Sequence, residues 1–399
     1  MSAYGTPQVQ VAWTGQLTGV FTIGTSTIGG TDVIGGAFGG NVFDDITADT
    51  LSVTCRRGRA SDMSAMEQGT CLIRLKDADG TYNPENAASS LADYLDVMRP
   101  VRVRETYGGT TYGLFYGYIS QVEYDPSTKQ AIIEAVDFFE WLSGVRPTVA
   151  ELTSQTVGYI IGAILDAVGW TDPVLRDIDS GGSTIPSWEA TGASTALTLV
   201  ENLLQIDLGA VFVDGDGVVT YQTRNARYAN GTPVATLSGS LVGGLKTSIS
   251  VRSIINGQTV QRTGGTAQTA TDEASRLARG YRDGAAIESA YLESDTQALS
   301  LARWVVAVNA TPRPPARGVR LINRDETTLL QQLSREIGDL VTVSEPVGGT
   351  SFNGRIQAIE HTISEAGKVH ETTLAVQKVT VSAFTIGTST IGGTDVIAY

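Results

Sequence analysis

The sequence is poor in reactive side chains. Its 399 residues hold two histidines and two cysteines. Zinc sites and cysteine- or histidine-based catalysis need such groups in clusters. No G-x-S-x-G or H-E-x-x-H run occurs, and the reading is a protein that is not an enzyme and has no cofactor. Charge is also scarce, at 18%, and it is unbalanced, with a formal net charge of −14. An acidic surface repels nucleic acid, which argues against sequence-specific DNA or RNA binding. The start, "MSAYGTPQVQVAW", has no basic segment followed by an apolar one, so no signal peptide is expected. The longest apolar stretch, "VGYIIGAILDAVGW" at 157–170, is too short and interrupted to span a bilayer and reads as a buried amphipathic helix.

Glycine is abundant, with 45 residues, and alternating runs recur. "LSVTCRR" (51–57), "TCLIRLKD" (70–77), "VRVRETY" (101–107), "TYGLFYGYISQVEYD" (111–125) and "AIIEAVD" (131–137) read as strands bounded by turns. Cys55 and Cys71 fall in two of them, as small buried side chains of a reduced chain in preference to a disulfide. Helical spacing follows at 153–170 and 194–207, the first opening on a Thr/Ser cap, and then two strands around a turn at Asp214–Gly217. A strand is expected at 246–262, helices at 294–308 and 325–337, and closing strands through "GDLVTVSEP", "FNGRIQAIEHTI" and "VHETTLAVQKV".

Two repeats stand out. "FTIGTSTIGGTDVI" occurs unchanged at 21–34 and 384–397. Its Phe21, Ile23, Ile28, Val33 and Ile34, with Phe384, Ile386, Ile391, Val396 and Ile397, would make an adhesive strand if exposed. One reading is a pair of ordinary strands. The other is two arms that occupy equivalent grooves, on a neighbouring subunit by strand addition. A fainter repeat aligns 101–125 with 340–362, allowing two inserted residues in the first copy. Gly117, Ile119, Val122 and Glu123 match Gly354, Ile356, Ile359 and Glu360. The fold class expected is therefore β-rich α+β, with two related β-barrel domains and a small inserted α+β domain. The boundaries are 1–45 (arm), 46–147 (first β domain), 148–240 (insert), 241–382 (second β domain with helices) and 383–399 (arm). Three such chains in a ring would present six similar barrels to a six-fold partner.

Motifs along the chain resemble a known family. "FDDITADTLSVTCRRGR", "GTCLIRLKDADGTYNPEN", "YGLFYGYI" and "IEAVDFFEWLS" resemble minor tail proteins of long-tailed phages, especially those of actinobacterial hosts. The closing "IGDLVTVSEP" and "GRIQAIEHTI" are similar to the end of their baseplate or tail-tip hub proteins. The resemblance implies a homotrimeric hub with two tail-tube-like barrels per chain. Its implied partners are the tail tube or distal tail protein, the tape-measure protein and tail fibres or other minor tail proteins. Its place would be the virion tail tip, after assembly in the host cytoplasm, on the path of the DNA. A receptor-binding protein that holds host glycans is the alternative.

The remaining candidates are weighed against plainer roles. His361 and His370 flank the turn "SEAGK" as cross-hairpin neighbours, with no Cys to complete a metal site. "DADGTYNPEN" (77–86) departs from a calcium loop in its glycine position and lacks the closing Glu. The one dense basic cluster, Arg56, Arg57 and Arg59, reads either as a solvated strand end paired to nearby acids or as a contact to an acidic neighbouring subunit.

Overall fold

The computed structural model describes residues 3–13, 42–61, 64–228, 231–238, 245, 251–312, 317–345 and 348–379. The first β unit comprises β1 (Thr6–Val11), β2 (Asp44–Asp45), β3 (Thr50–Gly58), β4 (Glu67–Lys76), β5 (Pro100–Tyr107), β6 (Thr110–Asp125), β7 (Gln130–Val136) and helix α1 (Phe139–Gly144). Next come β8 (Thr148–Thr156), α2 (Val157–Ala167), β9 (Arg176–Ile178), β10 (Thr184–Thr191), α3 (Ala196–Asp207), β11 (Ala210–Val213), β12 (Val219–Gln222) and α4 (Arg224–Tyr228). The last third holds β13 (Ala235–Ser238), β14 (Gly257–Arg262), β15 (Gln268–Thr271), α5 (Glu273–Arg279), β16 (Ile287–Ser289), α6 (Asp295–Asn309) and β17 (Arg317–Ile322). It closes with α7 (Glu326–Leu333), β18 (Leu340–Glu345), β19 (Thr350–Ser364) and β20 (Val369–Lys378).

The fold is β-rich with a few helices, as composition suggests. One sheet of twelve strands runs β13-β18-β19-β3-β4-β7-β6-β5-β1-β2, with β20 joined to β19 and β17 to β20. Both ends are open, and no closed barrel forms among the described residues. The two β units meet directly, because the far half of β19 pairs with β3 from Ala358↔Gly58 to Ser364↔Ser52. Gly58 makes this approach possible. Its φ is 111°, and a Cβ there would stand 2.2 Å from the carbonyl oxygen of Gln357.

The fainter repeat is visible in the pairing. β4-β7-β6-β5 and β17-β20-β19-β18 share one spatial order, all antiparallel. Val101↔Gly117 and Val103↔Phe115 in the first correspond to Val341↔Gly354 and Val343↔Phe352 in the second. Each long strand then breaks register at the same point, skipping Ser120 in β6 and Gln357 in β19. Gly117 and Gly354 do the same work, since a Cβ would meet the carbonyl of Val136 or the side chain of Val376, with Phe115 or Phe352 beneath. The first hairpin is three residues longer rather than two, with 103 to 117 answering 343 to 354, and one of the three is the bulged Leu114.

Five of the seven named helices begin on side-chain caps, and α1 does not. Thr156, Thr195, Asp272, Ser294 and Asp325 each accept a hydrogen bond from the third residue onward, worth about 1 kcal/mol apiece. Helix α2 starts at Val157 rather than near 153, because the preceding residues form β8 and pair with β10. Helix α7 ends at Leu333, short of the expected 337, where the Ser334 hydroxyl bonds back to the carbonyl of Leu330.

Hydrophobic cores cross these groupings. Ile160, Ile164 and Leu203 share one core with Val260, Leu301 and Val305, so β14 to α6 pack with the inserted segment. Leu329 and Leu333 of α7, with Ile363 of β19, complete the core of the first β unit. Phe212 of β11 enters the core of the second.

Candidate functional site

The basic cluster divides at a joint of three parts. Arg56 and Arg57 are consecutive on a strand, so they face opposite sides. Arg56 is partly exposed and paired with Glu67 of the neighbouring strand. Arg57 is only 3% exposed. Its Nε donates to the carbonyl of Leu114 at 3.0 Å and its Nη1 to that of Val213 at 3.0 Å. The guanidinium also forks onto Glu336, with Nη1 to Oε1 at 2.8 Å and Nη2 to Oε2 at 3.1 Å. Gly215 N–H donates to the same carboxylate at 3.2 Å. One side chain of the first β unit thus ties in the inserted segment and the turn before β18. Burial pulls on the Arg57 charge, but Glu336 outweighs it and holds the pKa above the ordinary arginine value.

Arg59 is likewise inside, bonded through Nε to Gln357 Oε1 at 3.0 Å and through Nη1 to the carbonyl of Ser64 at 3.1 Å. Gln357 is the residue that β19 leaves out of register, and its Oε1 also accepts from Arg227 at 3.3 Å. Arg57 and Arg59 therefore spend their donors within the chain, and Arg56 alone of the three stays exposed enough to meet another molecule. Phe21, Ile23, Ile28, Val33 and Ile34, and Phe384, Ile386, Ile391, Val396 and Ile397, lie outside the described residues.

The turns carry no open donor sets. Asp77 accepts from the N–H groups of Thr81 at 2.7 Å and Tyr82 at 3.0 Å, which folds the loop onto itself. Asp214 Oδ1 accepts from Asp216 at 2.9 Å and Val218 at 2.8 Å, closing the β11–β12 turn. That turn docks on the β5–β6 pair, against Gly113 of β6 and with Arg104 of β5 3.6 Å from Asp216. Burial pushes the Asp214 carboxyl up to about 6, and Glu336 adds to the rise. Cys55 and Cys71 are a directly opposed pair with free, buried thiols, and burial raises the Cys71 pKa well above its ordinary value.

His361 and His370 do come together across the hairpin, fully buried, with Nδ1 of the first 3.0 Å from Nε2 of the second. The third member is one that the sequence reading missed. Glu105 of β5 is 0% exposed and places Oε2 2.8 Å from His370 Nδ1. No cluster of three or more His, Cys, Asp or Glu suited to a metal occurs among the described residues. The best-formed cavity, about 420 Å³, is lined mainly by apolar groups such as Met66, Phe139, Leu204 and Ile287. Its charged lining residues are Glu201 and Arg59, the latter bonded to Gln357 and Ser64.

No protein-family model matches the sequence, and no curated protein does either. Solved structures do match. The 43 kDa tail protein of prophage MuSo2 from Shewanella oneidensis aligns with a TM-score of 0.57 at 14% identity, over 93% of this chain and 96% of that one. A tail protein from Neisseria meningitidis aligns with a TM-score of 0.58 at 9% identity, over 94% and 97%. The resemblance to phage tail proteins carried by the sequence motifs therefore holds at the level of the fold.

Proposed function

We propose that this chain is a structural, non-enzymatic component of a phage tail, a homotrimeric hub at the tail tip. There it closes the six-fold tube, adapts it to three-fold distal proteins and forms part of the DNA conduit. The shared fold of tail proteins supports the setting, and the duplicated four-strand meander is the observation that carries the adapter role. Two equivalent units per chain give three chains six near-equivalent surfaces. The tail tube or distal tail protein is then the partner on one side and fibre or other minor tail proteins on the other, with the tape-measure protein on the axis. The arm, β unit, insert, β unit and arm divide at about 45, 147, 240 and 382 in this scheme, as the sequence pattern suggests.

The repeat also indicates where a neighbour joins. In the second unit, β3 fills the edge of β19 beyond β18. The corresponding edge of β6, Gln121–Asp125 opposite β7, has no strand partner among the described residues. A strand of the adjacent copy fills it. Arg56 and the two copies of "FTIGTSTIGGTDVI" supply further contacts between copies. The variant Val122→Pro, which removes a donor from the middle of that edge because the N–H groups of Gln121 and Glu123 face β7, leaves a folded monomer and abolishes the ring in analytical ultracentrifugation. Rings from that variant would remove the edge from the scheme. A host-glycan receptor role would instead appear as binding of the purified chain to host cells, without other tail proteins.

A further inference from the structure

The two histidines sit at a seam between the β units. Glu105 belongs to β5, His361 to β19 and His370 to β20. Thr372 Oγ1 lies 3.0 Å from His361 Nδ1 and 3.2 Å from His370 Nε2, and Gln332 of α7 donates to it at 3.1 Å. Asn323 binds the His370 N–H at 3.0 Å and donates to the carbonyl of Ala3, drawing in the N-terminal segment. Gly5 leaves room for the acid, since a Cβ there would stand 2.1 Å from Glu105 Oε1. The remaining titratable groups facing the seam are Arg57 and Cys55 on β3, the latter directly opposite His361. β1 contributes none, and Glu365 and Lys368 of the adjoining turn are exposed.

We propose that the Glu105–His370–His361 chain is a proton-operated clasp, which holds β5 to β20 while one hydrogen bridges the two imidazoles and lets go when a further proton enters at His361. A contact of 3.0 Å between ring nitrogens has room for one hydrogen. With a hydrogen on each of the two facing nitrogens, N–H points at N–H in a dry interior, where like partial charges repel most strongly. The one acid at the seam, Glu105, already faces His370, and the nearest other charge, Arg57, is positive. Relief comes when the His370 ring swings away and leaves Glu105, a fully buried acid whose two oxygens have no aligned donor even in the closed state, without its 2.8 Å neighbour.

Burial first, then His370 and Arg57, holds the His361 pKa well below that of a free histidine. The closed seam thus keeps His361 neutral, whereas the open seam lets it protonate below about pH 6.5. The open state binds the extra proton, so opening rises by up to about tenfold per pH unit as pH falls. Above about pH 6.5 this group has no effect.

Hydrogen exchange on the purified full chain at pH 7.5, 6.5 and 5.5, corrected for intrinsic rates, reads the opening directly. Peptides covering 101–107 and 368–374 lose about fivefold protection between pH 6.5 and 5.5, while those covering β14 and β15 do not. His361→Gln flattens that slope. Because the chain has two histidines, their ¹⁵N signals in wild-type protein report the same event even if the variant fails to fold. His361 stays neutral until the seam peptides lose protection. An equal slope in wild type and variant, no slope at all, or a protonated His361 within a protected seam each overturns the clasp.

Discussion

Removing the Arg57 guanidinium should be among the most damaging single changes to this chain. Arg57→Ala leaves the carbonyls of Leu114 and Val213 without their donor in a site that is 3% exposed. Each unpaired buried acceptor costs about 1–3 kcal/mol. Glu336 is 35% exposed, so water takes over its carboxylate, and losing the ion pair itself adds under about 1 kcal/mol. The sum is about 2–7 kcal/mol, against a total stability of about 5–15 kcal/mol for a typical domain. Arg57→Lys keeps the charge but cannot fork onto Glu336 and reach both carbonyls, so it falls between. Arg56→Ala, which breaks an exposed pair, costs less than about 1 kcal/mol. Urea titrations followed by tryptophan fluorescence compare the three midpoints. A midpoint for Arg57→Ala equal to that of Arg56→Ala would refute the account of the joint. It would also mean that a charge reversal at both positions tests assembly cleanly, which the buried geometry otherwise forbids.

Gly117→Ala and Gly354→Ala each force a Cβ into a filled space and lower stability by about 1–3 kcal/mol, with similar size in the two halves; a large effect in one and none in the other in urea titrations would deny their equivalence. Asp214→Asn keeps both turn bonds, since both N–H groups reach Oδ1. The native carboxyl has a raised folded pKa, so its stabilising share is whole below about pH 4 and is lost as pH rises through about 6. The variant should therefore gain about 1–3 kcal/mol over wild type at pH 7.5 and nothing at pH 3.5, read from thermal denaturation at the two values. Truncation after Val379 removes the second copy of the exact repeat; the shortened chain keeps its circular dichroism spectrum and fails to form rings in ultracentrifugation, whereas wild-type assembly would make that segment dispensable.

Much of the architecture was legible because strand alternation is a short-range signal. The runs at 51–57, 101–107 and 111–125 became β3, β5 and β6 within a residue or so. The repeat was legible in Gly117, Ile119, Gly354 and Ile356 because each glycine answers the same packing demand beside a phenylalanine. Two features of the joint and seam could have been read and were not. Consecutive arginines on a strand must face opposite sides, which puts one of Arg56 and Arg57 inside. Glu105 continues the inward phase of Val101 and Val103, so a carboxylate in the core was implied by "VRVRETY". Its partner was not legible, because His370 is brought to it only by the meeting of β3 and β19, a contact between segments some 300 residues apart. The sharing of one core by α2, α3 and α6 was hidden for the same reason.

The adapter account is tested most directly by electron cryomicroscopy of the ring formed by the full chain with its tail-tube partner. It predicts three copies, with β4-β7-β6-β5 and β17-β20-β19-β18 alternating at about 60° around one axis and an adjacent copy paired along Gln121–Asp125. A different copy number, or meanders that lie at unequal radii and angles, would contradict it.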